Sequence, residues 1–143
     1  MTSTPGAEHP PQLALALGLG CDRGTPAATI SQAIGEALAC CGGQPSDIRA
    51  VASIDLKADE AGLLQVARER GWCIQFYPAA DLAAVDVPNP SETVRRHTGS
   101  PSVSEAAALL AAGADKADLI VEKHKLRGPD GRNATISIAR IHK

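Results

Sequence analysis

The chain has 143 residues, 44% of them hydrophobic, and only three are aromatic: Trp72, Phe76 and Tyr77. That length suits one domain with a sizeable buried core, and three aromatics are too few for the base-stacking platforms of a single-strand nucleic-acid binder. A net charge of −2 argues likewise against a generic polyanion binder, so no nucleic-acid partner is expected. The charge is uneven, with six Lys/Arg against one Asp between Lys123 and Lys143, which is either a local basic patch or a solvated tail. With 26 alanines, the core is expected where helices lie close against a partner surface, because small side chains permit short packing distances.

In chain order, Met1 to Gln12 is polar, carries three prolines and has no basic residue. It lacks the charged start of a secretory signal and reads as a disordered lead-in (1–12) to a single domain over 13–143. No apolar run is long enough for a transmembrane helix, so no membrane partner is expected. Residues 13–19 (LALALGL) read as a strand buried on both faces. Thr25 followed by Pro26 predicts a helix capped by Thr25, with Ile30, Ile34 and Leu38 on its inner stripe and Gly42-Gly43 at its end. Residues 48–54 (IRAVASI) are a second strand, and Ala58 to Arg70 a second helix with Leu63, Leu64 and Ala67 inward. Trp72 to Tyr77 is a third strand near an edge, and Pro78 to Val85 a short helix.

Pro88-Asn89-Pro90 forbids regular pairing and marks a loop. A brief helix is expected over 91–97, then a turn at Gly99-Ser100-Pro101. Ser102 with Glu105 forms a capping box ahead of a helix through Ala112. Leu119 to Lys123 and Ala134 to Ile141 are strands joined through Gly128-Pro129-Asp130-Gly131, turn chemistry that makes them an antiparallel hairpin. The order implies an α/β fold: a three-layer α/β/α sandwich on a mostly parallel sheet with an antiparallel edge. Cys21, Cys40, Cys41 and Cys73 include no CxxC pair, which argues against a zinc or redox site and for a reduced, cytoplasmic protein. No metal and no cofactor is expected.

Ligands of open α/β sheets gather at the carboxyl ends of the strands, and three segments there are rich in polar and glycine residues. The first is Gly18 to Thr25, whose glycines admit a ligand near the backbone ahead of a helix N-terminus that favours anions; the same glycines also serve a plain strand-to-helix turn. The second is Asp55-Leu56-Lys57-Ala58-Asp59-Glu60. In an extended segment Asp55 and Lys57 point to one side, where the lysine binds a carboxylate and the aspartate acts as a base, or the two form a mere surface ion pair. Asp59 and Glu60 also complement a helix dipole. The third is Ser100 to Glu105, with Lys123-His124-Lys125 bringing cations over the same rim. His97 and His142 have no clear partner, and His9 lies in the lead-in. No GxSxG, HExxH or Walker loop is present.

Read together, GLGCDRGTP (18–26), ASIDLKADEAGLLQVA (52–67), PNPSETVRRHTGSPSVSEAAALLAAG (88–113) and the ending LIVEKHK with TISIAR resemble the CobE family, also the C-terminal domain of CbiG, across about residues 13–141. The resemblance implies a role in cobalamin (vitamin B12) biosynthesis. CbiG is a cobalt-precorrin hydrolase that opens a lactone ring and releases a two-carbon aldehyde; it has an N-terminal domain for which this chain is expected to have no room. The freestanding form belongs to the aerobic route. The resemblance implies a precorrin or corrin intermediate as partner, with other enzymes of the pathway as further partners. It carries a substrate site onto Gly20, Cys21, Arg23, Gly24, Thr25, Asp55, Lys57, Asp59, Glu60, Ser102, Val103, Ser104, Glu105 and Lys123. Precursor corrins are flat, largely apolar macrocycles fringed by carboxylates, which Arg23, Lys57, Lys123 and Lys125 suit. Three readings follow: binding and transfer of the intermediate; hydrolysis at a peripheral lactone or acid group, with Asp55 as base and Cys21 as nucleophile; or docking on another pathway enzyme, if the Ala-rich helix face at 105–112 is exposed.

Overall fold

A computed structural model describes residues 14–87 and 103–142. The lead-in, the Pro88–Pro90 loop, the helix expected over 91–97, and Ser102 lie outside the described residues. In chain order the elements are β1 (Leu15–Cys21), α1 (Ala27–Cys41), β2 (Ile48–Ile54), α2 (Ala61–Arg70), β3 (Ile74–Tyr77), α3 (Ala79–Ala83), α4 (Val103–Ala112), β4 (Leu119–Arg127) and β5 (Asn133–Arg140). Short 3₁₀ turns precede β2 and β4, and a third covers Asp55–Lys57.

One five-stranded sheet carries them in the order β3-β2-β1-β5-β4. β1, β2 and β3 pair in parallel, and the β4–β5 hairpin expected from the 128–131 turn forms. The hairpin forms one side of the sheet, as the expected antiparallel edge does, with β5 inward and β4 outermost. β5, the antiparallel strand, lies inside the sheet against β1 from Leu15↔Arg140 to Cys21↔Ala134, and β4 takes the edge. β5 is the more apolar of the two, with Ala134, Ile136, Ile138 and Ala139 buried, so it takes the interior and leaves the lysine-bearing β4 outside.

Helices cover both faces. On one, α1 and α2 bury Ile30, Ile34, Leu38, Leu63 and Val66 against Leu15, Leu17, Leu19, Ile136 and Ile138. On the other, α4 packs Ala106, Ala107, Ala108 and Ala112 against Ala16, Ala52 and Ala139. The alanine packing is densest on this second face, while Ala33, Ala37 and Ala134 lie among larger side chains on the first. Gly18 shows how close the second face packs: a Cβ there would fall 1.8 Å from the Ser104 carbonyl oxygen. Glycine removes the one atom that would hold α4 off the sheet.

Three local expectations are corrected. α1 is capped at Pro26, with no side-chain cap, because the Thr25 hydroxyl donates to the Asp22 carbonyl at 2.7 Å. α2 starts at Ala61, three residues later than expected, since Asp55–Lys57 closes its own 3₁₀ turn through Ala58 N–H to the Asp55 carbonyl. Its buried stripe runs through Leu63, Val66 and Ala67, with Leu64 only half-buried. The helix ends at Gly42 and Gly71 are left-handed caps, as their positions predict.

Candidate functional site

The parallel strands β1 and β2 and the edge strand β4 all end on one rim of the sheet, where β5 begins. Four segments meet there: 22–25 after β1, 55–60 after β2, Arg127 ending β4, and Arg132-Asn133 opening β5. Their contacts join residues far apart in sequence. The Asp22 carboxylate accepts from Asn133 N–H at 2.8 Å and from Asn133 Nδ2 at 3.0 Å, closing β1 onto β5. Arg132 Nε donates to the Arg23 carbonyl at 3.0 Å, and Arg132 pairs with Asp130 at 3.0 Å.

Arg23 and Glu60 form the centre of the rim. The Glu60 carboxylate is 4% exposed; it accepts from Gly24 N–H at 2.9 Å through Oε2 and faces Arg23 Nη1 at 3.3 Å through Oε1. The loops after β1 and β2 are therefore tied by one buried acid. A second close approach supports the tie: at Gly62, in the first turn of α2, a Cβ would meet the Thr25 carbonyl at 2.3 Å. Arg23 also reaches the Leu56 carbonyl at 3.2 Å and Asp59 at 2.9 Å. The guanidinium holds the Asp59 carboxyl below the usual carboxylate range.

Several candidate residues come together here and several do not. Arg23, Gly24, Thr25, Asp59 and Glu60 are joined directly. Cys21 and Lys57 are close enough to influence each other electrostatically. Burial is the main reason the Cys21 thiol is pushed up to about 11; Glu60 and Asp22 push the same way, and only the Lys57 charge and a Thr25 hydrogen bond oppose them. A thiol at neutral pH is a poor nucleophile, so the chemistry runs against Cys21 in that role. Asp55 and Lys57 do not share a side as an extended segment would place them. The 3₁₀ turn advances about 120° per residue, which sets i and i+2 apart. Asp55 is exposed and Lys57 half-buried; neither side chain forms an ion pair among the described residues.

The group at α4 turns inward. Ser104 and Glu105 are 3% and 0% exposed, and the Ser104 and Ser137 hydroxyls lie 2.8 Å apart, with Ser137 donating to the Glu122 carbonyl. Val103 is half-buried at the helix start. Gly20 faces this side of the rim with room beside it: a Cβ there would meet only Thr135, at 3.9 Å. Lys123, His124 and Lys125 do not reach the rim, because β4 runs on to Arg127. His124 instead pairs with Glu36 of α1 at 2.8 Å. His142, for which no partner was expected, pairs with Asp118 at the opposite end of the sheet.

The residues missed by the sequence reading are Asp22, Arg127, Arg132 and Asn133. Arg127 and Arg132 flank the hairpin turn, and what brings them over the rim is the insertion of β5 beside β1, which has no local signature. The rim is also not basic, contrary to the tail's charge count: the segments that carry Arg23, Lys57, Arg127 and Arg132 also carry Asp22, Asp55, Asp59, Glu60 and Asp130. Among the described residues no three His, Cys, Asp or Glu side chains are grouped to hold a metal ion, and no helix is long and apolar enough to cross a membrane.

Comparison with known proteins gives this rim a context. The family described as "Cobalamin synthesis G C-terminus" matches residues 15–139. A cobalt-precorrin-5A hydrolase of Priestia megaterium is 41% identical over 127 residues, covering 89% of this chain. The match spans 32% of the hydrolase, so this chain corresponds to about a third of that protein's length. Protein CobE of a Sinorhizobium species is 45% identical over 111 residues, 76% of this chain and 71% of that protein. The crystal structure of a CobE from the cobalamin biosynthetic pathway superposes with a TM-score of 0.77 at 34% identity, covering 94% of both chains. On the family match and these identities, the chain belongs to the CobE and CbiG C-terminal family of cobalamin biosynthesis proteins.

Proposed function

We propose that the chain binds a precorrin-type intermediate at the strand-end rim through the macrocycle's peripheral carboxylates. One observation carries the reading: the sheet order sets four cation-bearing segments in a row. Lys57 follows β2, Arg23 follows β1, Arg132 precedes β5 and Arg127 ends β4, so three strand spacings of about 4.8 Å separate the outer two, roughly 14 Å in all. A flat, largely apolar ring with acids around its edge meets such a row at several points. Leu56, 52% exposed beside Lys57, offers that ring an apolar contact. The acids among the cations remove any general attraction for anions, which leaves recognition to the spacing of the cations.

The identity to a segment of a cobalt-precorrin-5A hydrolase favours a second reading, in which the chain acts as a hydrolase on a lactone or acid group of the ring. Asp55 is then the base. With Cys21 held as a thiol, water is the nucleophile that fits.

The test is incubation of the purified chain with cobalt-precorrin-5A and with its cobalt-free counterpart, followed by gel filtration, visible spectra and mass analysis. Co-elution with unchanged mass supports binding. Loss of a two-carbon fragment supports hydrolysis, and neither change nor co-elution overturns both. Arg23→Ala with Lys57→Ala is expected to weaken binding about tenfold or more; unchanged affinity removes the rim as the site.

A further inference from the structure

Arg23 donates to two acceptors, the Leu56 carbonyl and Asp59, and pairs by charge with a third group, Glu60. The Leu56 carbonyl at 3.2 Å and the buried Glu60 carboxylate at 3.3 Å are fixed, the first by the backbone and the second by its bond to Gly24 N–H. Asp59, at 2.9 Å, is 81% exposed, and the Arg23 side chain is itself 63% exposed. Among the described residues, Arg23 is the one side chain that Asp59 pairs with directly, and the Lys57 charge acts on it from nearby. The buried acid and the carbonyl aim the guanidinium, while the surface acid occupies its outward side.

From this we infer that Asp59 is an internal stand-in for a ligand carboxylate, occupying the open side of Arg23 in the free protein and giving way when ligand binds. The inference rests on the carboxylate-binding reading above and adds how that site is regulated. A guanidinium stays charged and presents a planar fork of donors, so it pairs with whatever carboxylate is nearest. Exposed ion pairs are weak, and exchanging one carboxylate for another at such a site is close to neutral. Asp59 therefore fills the outward side of Arg23 without ligand and competes with the ligand when it arrives. Removing Asp59 should strengthen binding, whereas removing Arg23 should weaken it.

Titration of the intact chain with precorrin-5A, with and without cobalt, and read by the visible spectrum, tests this. Asp59→Asn is expected to bind about two- to fivefold more tightly than wild type. Asp59→Glu, which keeps a carboxylate within reach, should bind like wild type. In an Arg23→Ala background Asp59→Asn should bring no gain, because the competition acts through Arg23. A gain that persists in that background points to general relief of negative charge and overturns the inference, as does unchanged or weaker binding by Asp59→Asn alone. Wild type binding while Asp59→Asn has no effect leaves the carboxylate site standing without its stand-in; failure of wild type to bind either ring removes both.

Discussion

The two faces of the sheet are built on opposite principles. Toward α1 and α2, large side chains fill the space: Leu15, Leu17 and Leu19 meet Ile30, Ile34 and Leu38. Toward α4, small ones remove it: Ala16, Gly18, Ala52 and Ala139 lie under a run of alanines. The wide face also carries long-range polar clasps, Glu60 onto Gly24 and Arg23 and Glu36 onto His124. Its helices stand off the sheet by a side-chain layer that polar groups can bridge. On the close face the Ser104 and Ser137 hydroxyls meet and Glu105 is fully buried. Tolerance to mutation should differ accordingly at two positions: at Gly18 the close face has no space for an added methyl, and at Ile34 the wide face can lose one.

Gly18→Ala should have the largest effect. The new methyl collides with backbone, which cannot rotate away as a side chain can, so α4 must shift. Overpacking of this kind costs about 3 kcal/mol, measurable by urea unfolding. Glu60→Ala comes next. It leaves Gly24 N–H without its buried acceptor and loosens the tie between two loops, a loss of about 2 kcal/mol in the same measurement. Ile34→Val removes one carbon from the wide face and should cost about 1 kcal/mol. If Ile34→Val proves as damaging as Gly18→Ala, the contrast between the faces is wrong.

The smallest effect is acid sensitivity at the α1–β4 clasp. His124, ahead of Gln32, lowers the Glu36 carboxyl from its ordinary 4.5. A carboxylate lowered on folding contributes stability that is present above its unfolded value and lost as pH falls through the folded one. Melting temperature should therefore decline as pH drops below about 4.5, and Glu36→Gln should make that decline shallower. Both groups are exposed enough for solvent to screen the pair, so the change should be slight.

Much of the fold was legible in the residues. The five strands, the glycine-capped helix ends and the 128–131 hairpin follow from periodicity, left-handed glycine positions and turn residues, all determined over a few neighbouring positions. The candidate site was legible as segments and less so as contacts. Gly24, Arg23, Asp59 and Glu60 were singled out, yet nothing within either segment indicates that Glu60 binds Gly24 N–H across 36 positions. Asp55 and Lys57 lie on different sides because a 3₁₀ turn forms where alternation predicts an extended segment.

The sequence by itself determined which stretches become strand or helix and which residues are polar enough to serve the strand ends, since these are properties of local backbone preference and hydrophobic pattern. Only the tertiary structure decided that β5 enters beside β1, that Arg127 and Arg132 rather than Lys123 and Lys125 reach the rim, and that Arg23 is shared between a buried acid and an exposed one. Those outcomes depend on which apolar faces bury together. That choice is made by the whole core at once, and no short segment records it.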